Sequence, residues 1–204
     1  MKKIDWKTLI LTCLVCLLPM IFGIFLYDKL PEQMPVHFNI NNEVDRYATK
    51  EFAIFGLSGI MILLQIFCCV ISDVKENKND KKPKLIVIVK WIIPILTIVV
   101  SFITFEISLG KSIDVRKCIM IVLGIIYIIM GNYFPKVGYS QMKGKMHPMP
   151  KNEQSYRKMS RSLGYTFVIL GILMIFSVIL PPIFSLFIVI LMISTIIVEI
   201  LHFC

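Results

Sequence analysis

The chain has 204 residues, of which 57% are hydrophobic, and its mean hydropathy is +0.80. Soluble domains are about half apolar or below, so this composition excludes a soluble globular protein and predicts an integral membrane protein. The formal net charge is +9. Basic loops beside anionic lipid account for that charge, so we expect no direct nucleic-acid partner.

Six apolar runs predict an all-α, polytopic membrane helix bundle with about six transmembrane helices. Each is about long enough to cross a hydrocarbon core of roughly 30 Å. The runs cover residues 9–27, 52–71, 91–109, 118–134, 163–180 and 183–201. The first is expected to be a retained span and not a cleaved signal peptide, because no small-residue cleavage site follows Tyr27. The third could begin as early as Leu85, in which case Lys90 would extend toward the interface beside Trp91.

Pro181 and Pro182 alone separate the fifth and sixth runs. Two prolines prevent a continuous helix, which leaves either a tight hairpin or one broken segment. Together the two runs are much longer than one crossing requires, so a hairpin is the favoured prediction.

The loop charges predict the orientation of the chain. One set of alternate segments carries fifteen Lys and Arg, and the other set carries six. The positive-inside rule therefore predicts cytoplasmic N- and C-termini in a single membrane domain, residues 1–204, of a multi-pass bacterial cell-membrane protein. Residues 28–51 would form an extracytoplasmic loop, and residues 72–84 and 136–162 would form basic cytoplasmic loops.

The 28–51 loop is the most distinctive polar stretch. Its two prolines, Pro31 and Pro35, disfavour helix, and apolar and polar residues then alternate around His37, which predicts a small strand or loop at the membrane surface. Loops of this length are often functional. The candidate ligand-binding residues in it are Pro35, His37, Phe38, Asn39 and Asp45. The alternative for His37 is a purely structural role within its own loop.

Two further features lie at predicted cytoplasmic positions. Gly131, Asn132 and Pro135 end the fourth span, and they predict a specific structural junction, because an amide in lipid needs a partner and proline interrupts the helix. Arg157, Lys158 and Arg161 precede the fifth span and are typical of an anchor on anionic lipid or a partner-binding surface. Glu199 and His202, near the end of the sixth span, are expected to be solvated.

No metal site or cofactor is predicted. Cys13 and Cys16 have the spacing of a metal or redox motif, but an apolar helix disfavours their thiolates, so both are expected to act as small hydrophobic residues. The cluster Met142, Met146, His147 and Met149 matches no firm metal-binding pattern.

Two motifs together resemble those of the SdpI-like bacterial membrane proteins. The first is Leu30-Pro31 followed by Pro35-Val36-His37-Phe38-Asn39 and Asp45, and the second is Gly131-Asn132-Tyr133-Phe134-Pro135-Lys136. The resemblance covers most of the chain. It implies an immunity protein against a secreted killing peptide, and a second role in holding a transcriptional repressor at the membrane. The chain departs from the family pattern at Met146 and Met149, where the family has Arg and Trp.

The leading hypothesis is a non-enzymatic immunity or resistance protein whose outer loop meets a peptide toxin. The alternatives are a signalling protein that sequesters a cytoplasmic regulator, and a component of a small-molecule or peptide transporter. No zinc-protease motif and no nucleophile with a plausible base is recognisable, so no enzymatic activity is expected. A transporter is disfavoured because the spans lack central charges and a clear inverted repeat.

Overall fold

The structure is a computed structural model that describes residues 4–74, 83–142 and 148–203. The helices are α1 (Trp6–Phe25), α2 (Leu57–Val74), α3 (Lys84–Ser108), α4 (Val115–Tyr133), the short α5 (Tyr139–Met142), α6 (Glu153–Phe176) and α7 (Pro182–Phe203), and the strands are β1 (Gln33–Phe38) and β2 (Val44–Thr49). Within the described residues, six helices are long and apolar enough to cross a membrane, α2 being extended at its start by a π-helical turn, Phe52–Gly56. The predicted multi-pass helical fold is confirmed, and the orientation of the termini stays a prediction.

The chain divides into two compact units. The first comprises Met1–Val74 and Val89–Val115, and the second comprises Lys75–Ile88 and Arg116–Cys204. The first unit therefore holds α1, the strand pair, α2 and most of α3. The second holds α4 to α7.

Helix α1 begins at Trp6, where Asp5 caps it. The Asp5 carboxylate accepts hydrogen bonds from the Thr8 backbone N–H and hydroxyl, at 3.2 and 3.0 Å, and so satisfies a donor that the helix leaves unpaired. Farther along, Gly23 allows close approach of Ile54, since a Cβ built at Gly23 would lie 2.7 Å from Ile54 Cγ2. Gly23 thus provides a packing notch in this span.

Helix α3 begins at Lys84, which places Lys90 inside it. The expectation that Lys90 extends to the membrane interface is wrong: its side chain is 2% exposed and Nζ lies 2.6 Å from Asp73 Oδ1. Asp73 also accepts a hydrogen bond from the Asp5 backbone N–H at 3.0 Å. A buried lysine is stable only when its charge is paired, so Asp73 holds the ammonium group that would otherwise have to reach water.

The same polar cluster includes Gln65, whose side chain is fully buried. Its amide nitrogen donates to the Lys90 carbonyl at 2.9 Å and to Cys69 Sγ at 3.1 Å. Cys16 accepts a weak hydrogen bond from Thr97, and the described cysteines are all free thiols. These contacts join α2 to α3 and α1 to α3 through polar side chains in addition to apolar packing.

In the second unit, α4 and α6 meet through two pairs of glycines. A Cβ built at Gly124 would lie 2.6 Å from the Gly171 carbonyl oxygen, and one built at Gly131 would lie 2.6 Å from the Gly164 carbonyl oxygen. No side chain fits at these crossings, so the two backbones pack directly. Gly164 and Gly171 of α6 thus pack against α4.

Helices α6 and α7 form the predicted helix pair with a tight turn between them. The chain turns through Ser177–Ile179, and α7 begins at Pro182, whose missing N–H costs nothing at a helix start. Glu199, expected to be solvated, is instead held between the two helices: its Oε1 accepts from Ser162 at 3.0 Å and from Thr166 at 2.6 Å. Antiparallel pairing of α7 with α6 is what brings these hydroxyls to the carboxylate.

Arg116 links the turn between α6 and α7 to the start of α4. Its guanidinium donates to the Ser177 carbonyl at 3.2 Å and to the Ser185 hydroxyl at 2.8 Å. Ser185 in turn donates to the Ser177 hydroxyl at 3.1 Å. A positive-inside count treats Arg116 only as a loop charge, whereas here it satisfies a helix-end carbonyl of the buried Ser177.

Candidate functional site

Residues 28–51 contain a β-hairpin formed by β1 and β2, and this whole segment is called the hairpin below. Strands β1 and β2 pair antiparallel, with Gln33 opposite Thr49 and Phe38 opposite Val44. The pairing is irregular on either side of His37, because each strand has one residue there without a partner. Such bulges increase local twist and change the direction of side chains. The small strand predicted around His37 is confirmed.

The tip of the hairpin is organised by Asn39. Its side-chain oxygen accepts hydrogen bonds from the backbone N–H groups of Asn41 and Glu43, at 2.9 and 3.0 Å, and its amide nitrogen donates to the Glu43 carboxylate at 2.8 Å. An asparagine that bonds the backbone two residues ahead is a common turn device. The ligand-binding residue predicted at position 39 therefore already serves the turn.

Asn42 attaches the tip to the segment before α4. Its backbone φ is +65°, in the left-handed region that asparagine tolerates better than most residues. Its side-chain oxygen accepts from the Val115 N–H at 2.7 Å, and its amide donates to the Ile113 carbonyl at 3.0 Å. Sequence reasoning missed this attachment, because it depends on a segment more than seventy residues away.

Two of the predicted site residues meet across the strands. His37 Nδ1 lies 2.6 Å from Asp45 Oδ1, and the two side chains are 60% and 43% exposed. Of the others, Pro35 is buried and Phe38 is half-buried. Phe38 lines a cavity of about 470 Å³ together with Val44, Ile107 and Ile113. The exposed pair and the adjacent cavity give the hairpin a polar surface next to an apolar recess.

The base of the hairpin rests on an apolar cluster formed with the helices. Its buried members are Leu30, Met34, Ala53, Ile54 and Phe105. Met34, from β1, has no exposed surface. Burial of such side chains is the main favourable term in folding, so the hairpin is fastened to α2 and α3 by its own strand residues.

Lys50 reinforces this base from the end of β2. Its side chain is only 8% exposed, and Nζ lies 3.0 Å from Glu32 Oε1 and 3.5 Å from the Leu30 carbonyl oxygen. The ammonium also lies 4.2 Å from the centre of the Tyr27 ring, which adds a cation–π contact. Sequence reasoning counted Lys50 only as a loop charge and missed it.

Tyr27 and Glu51 form an exposed contact beside Lys50. The Tyr27 hydroxyl donates to Glu51 Oε1 at 2.7 Å. This hydrogen bond raises the pKa of Tyr27 and lowers the pKa of Glu51, because it is made by the neutral phenol and the ionised carboxylate. The contact joins the end of the first span to the start of the second.

The predicted junction at the end of α4 has a defined structure. The chain passes from α4 into a 3₁₀ turn, Phe134–Lys136. Asn132, exposed on α4, accepts a hydrogen bond from Lys136 Nζ at 3.2 Å. Pro135 lies against Gly164, where a built Cβ would come 2.5 Å from the proline ring. The amide thus has a partner, and the proline occupies space that a larger residue on α6 would block.

The three predicted anchor residues lie on the first turns of α6. Arg157 pairs with Glu153 one turn earlier, at 2.7 Å, and Lys158 and Arg161 are exposed. Exposed pairs of this kind contribute little to stability. Met146 and His147, considered above as metal ligands, lie outside the described residues.

Comparison with known proteins places the hairpin at the centre of a recognised domain. Residues 14–62 match the model of a domain of unknown function, DUF1648. The chain is also 26% identical over 168 residues to Immunity protein SdpI of Bacillus subtilis (strain 168), covering 81% of this chain and 78% of that protein. The chain therefore resembles SdpI over most of its length. No solved structure matches it.

The DUF1648 match spans most of α1, the hairpin and the start of α2. It therefore contains His37, Asp45 and the buried Lys50. The junction at Gly131 and the basic turns of α6 lie outside the match. The hairpin is accordingly the candidate functional site.

Proposed function

We propose that the protein is a non-enzymatic membrane immunity protein whose hairpin binds a secreted antimicrobial peptide. The observation that carries the proposal is the similarity to Immunity protein SdpI, which extends over 81% of this chain. The hairpin gains support as the contact surface because it is fastened at its base and at its tip. A binding surface held in place before contact loses less conformational entropy when the partner arrives.

The charge of the hairpin favours a cationic peptide. Residues 28–51 contain five Asp and Glu against three Lys and Arg, whereas the whole chain has a net charge of +9. Asp45 is exposed and contacts His37 through Oδ1, which leaves Oδ2 available to a donor. An acidic surface accelerates encounter with a positively charged peptide and helps to orient it.

The hairpin also offers backbone groups and an apolar recess. In the described two-stranded sheet, each strand is paired on one side only. Strand β1 contains Pro35, which has no N–H, whereas β2 exposes Asp45, Arg46 and Tyr47. An extended peptide could add beside β2 through backbone hydrogen bonds. The cavity lined by Phe38 would accept one of its apolar side chains.

The proposal is tested by survival of a sensitive bacterial host that expresses the protein and is challenged with the secreted peptide encoded nearest to its gene. Wild-type protein is expected to restore growth. The variants His37→Ala and Asp45→Asn are expected to return sensitivity toward that of the host without the protein, because each removes part of the exposed pair. Protein in the membrane fraction is quantified by immunoblot so that loss of expression is recognised.

Gln33→Ala is the matched control, because Gln33 is an exposed residue of the same strand that lies away from the His37–Asp45 pair. It is expected to protect as well as wild type. If wild-type protein gives no protection, immunity against that peptide is contradicted and the signalling alternative is favoured. If both site variants protect fully, binding through this surface of the hairpin is contradicted.

A further inference from the structure

A groove of about 660 Å³ lies between α4 and α6 at the junction, in the second unit of the chain. Its apolar wall includes Ile128, Ile129 and Val168. Its polar end includes Lys136 and Arg161. The groove is therefore amphipathic along its length.

The glycine crossing explains why there is space at this position. Gly131 and Gly164 have no side chains, and their backbones are in contact, as described above. Side chains resume on either side of this crossing, so the glycines form a floor with walls around it. Small residues that bring two membrane helices together thus also leave a recess on the surface that faces lipid.

A second cavity of about 200 Å³ adjoins the groove at its polar end. The two cavities share Pro135, Lys136 and Arg161 as lining residues. The smaller cavity continues past these residues to Arg157 and the backbone around Gly138. Lys136 and Arg161 consequently lie at the boundary between the apolar part of the groove and the smaller, polar cavity.

Both cations have capacity for an anion. Arg161 is exposed, and among the residues that the structure describes it has no carboxylate partner. Lys136 donates to Asn132 and lies 4.6 Å from the centre of the Tyr133 ring, which leaves two of its three ammonium donors unused. A phosphate between these groups would receive charge-assisted hydrogen bonds from both.

We propose that this groove is a binding site for an anionic phospholipid. The phosphate would lie between Lys136 and Arg161, and an acyl chain would follow the wall formed by Ile129 and Val168. Basic pockets between membrane helices commonly bind anionic head groups, and the apolar wall supplies the second half of the recognition. This site is independent of the hairpin and of the immunity function.

The exposure of the wall distinguishes a lipid from a soluble anion. Ile129 is 40% exposed and Tyr165, at the rim, is 72% exposed, on helices apolar enough to lie in a membrane. A tyrosine at such a position has its ring in the apolar region and its hydroxyl toward the head groups. A free phosphate would use only the polar end, whereas a phospholipid would cover the whole groove.

The test measures the dissociation constant of phosphatidylglycerol for the full chain purified in a neutral detergent, with phosphatidylcholine as the zwitterionic comparison. Arg161→Gln and Lys136→Gln are each expected to weaken phosphatidylglycerol binding about fivefold, the effect of one cation near an anionic lipid surface. The matched control is Lys151→Gln, just before the same helix, because Lys151 is exposed but lines neither cavity. It is expected to leave the dissociation constant unchanged.

A second pair of variants tests the apolar wall without changing charge. Ile129→Trp is expected to obstruct the groove and abolish preferential binding of phosphatidylglycerol, whereas Ile125→Trp, one turn away on an equally exposed part of α4, is expected to have no effect. Equal losses from Lys151→Gln and Arg161→Gln would overturn the proposal, because binding would then follow net charge alone. So would equal affinity for phosphatidylcholine, or displacement of the lipid by equimolar glycerol 3-phosphate.

Discussion

Two lysines of the first unit are each paired with a carboxylate, and their surroundings differ. Lys50, at the base of the hairpin, is 8% exposed, but its partner Glu32 is 83% exposed. Lys90, in α3, is 2% exposed and its partner Asp73 is 1% exposed. Glu32 therefore keeps most of its hydration after pairing, whereas Lys90 and Asp73 have both lost theirs. The cost of breaking each pair should therefore depend on what the remaining group can find instead.

The largest effect is expected from Asp73→Ala. The change leaves the Lys90 ammonium buried without a counter-charge and removes the acceptor of the Asp5 N–H, so the free energy of unfolding should fall by about 3–5 kcal/mol. The measurement is a denaturant titration of the purified protein in mixed micelles. A loss below about 1 kcal/mol would mean that the ammonium reaches water, which contradicts the buried position of Lys90.

The double variant Asp73→Leu with Lys90→Met is the control for that experiment. It removes both charges and keeps apolar volume, so much of the stability lost in Asp73→Ala should return. If the double variant is as unstable as the single one, the loss arises from the Asp5 contact or from packing and not from an unpaired charge.

A smaller effect is expected from Lys50→Met, which keeps the buried methylene stem and removes the ammonium. The hydrogen bond to Glu32 and the contact with the Tyr27 ring are lost, but Glu32 remains hydrated, so the free energy of unfolding should fall by about 1 kcal/mol. The same titration measures it. Lys29→Met, an exposed lysine of the same loop, should change stability less. If Lys50→Met lowers the free energy of unfolding as much as Asp73→Ala does, the hydration of Glu32 does not reduce the cost of breaking its pair.

The exposed His37–Asp45 pair should contribute least to stability. Its side chains are 60% and 43% exposed, so His37→Ala should cost only about 0.2–1 kcal/mol. The same variant is expected to abolish protection in the survival assay. A large loss of stability would instead assign His37 a structural role in the hairpin, which was the alternative predicted from sequence.

The Tyr27–Glu51 contact predicts a pH dependence without a large energy. The pKa of Glu51 is lowered and that of Tyr27 is raised by their hydrogen bond. The contact is therefore lost when pH falls through the lowered pKa of Glu51 or rises through the raised pKa of Tyr27, and it is present between the two. Glu51→Gln should bring the pKa of Tyr27 down toward its usual value of about 10. The ultraviolet titration difference between each protein and its Tyr27→Phe variant measures this change.

The stability ranking of these contacts could not be derived from the sequence. Asp73 belongs to the segment 72–84 that was expected to form a basic loop, and Lys90 lies near the start of an apolar run and was expected at the membrane interface. They meet because α2 extends past Asp73 and α3 begins at Lys84. Asn42 and Glu199 were missed for the same reason, since their partners belong to segments remote in the chain.

Composition and hydrophobic run length alone determined that the protein is a polytopic helical membrane protein with six candidate spans, because the thickness of a bilayer sets how many apolar residues a helix needs. The two prolines between the last spans and the alternation around His37 also predicted local features that the structure contains. Tertiary structure alone decided which helix the glycines of α6 contact, which charges are buried, and where the hairpin is attached. Those outcomes depend on pairing between distant segments, and a residue's own sequence neighbourhood carries little information about its partner across the fold.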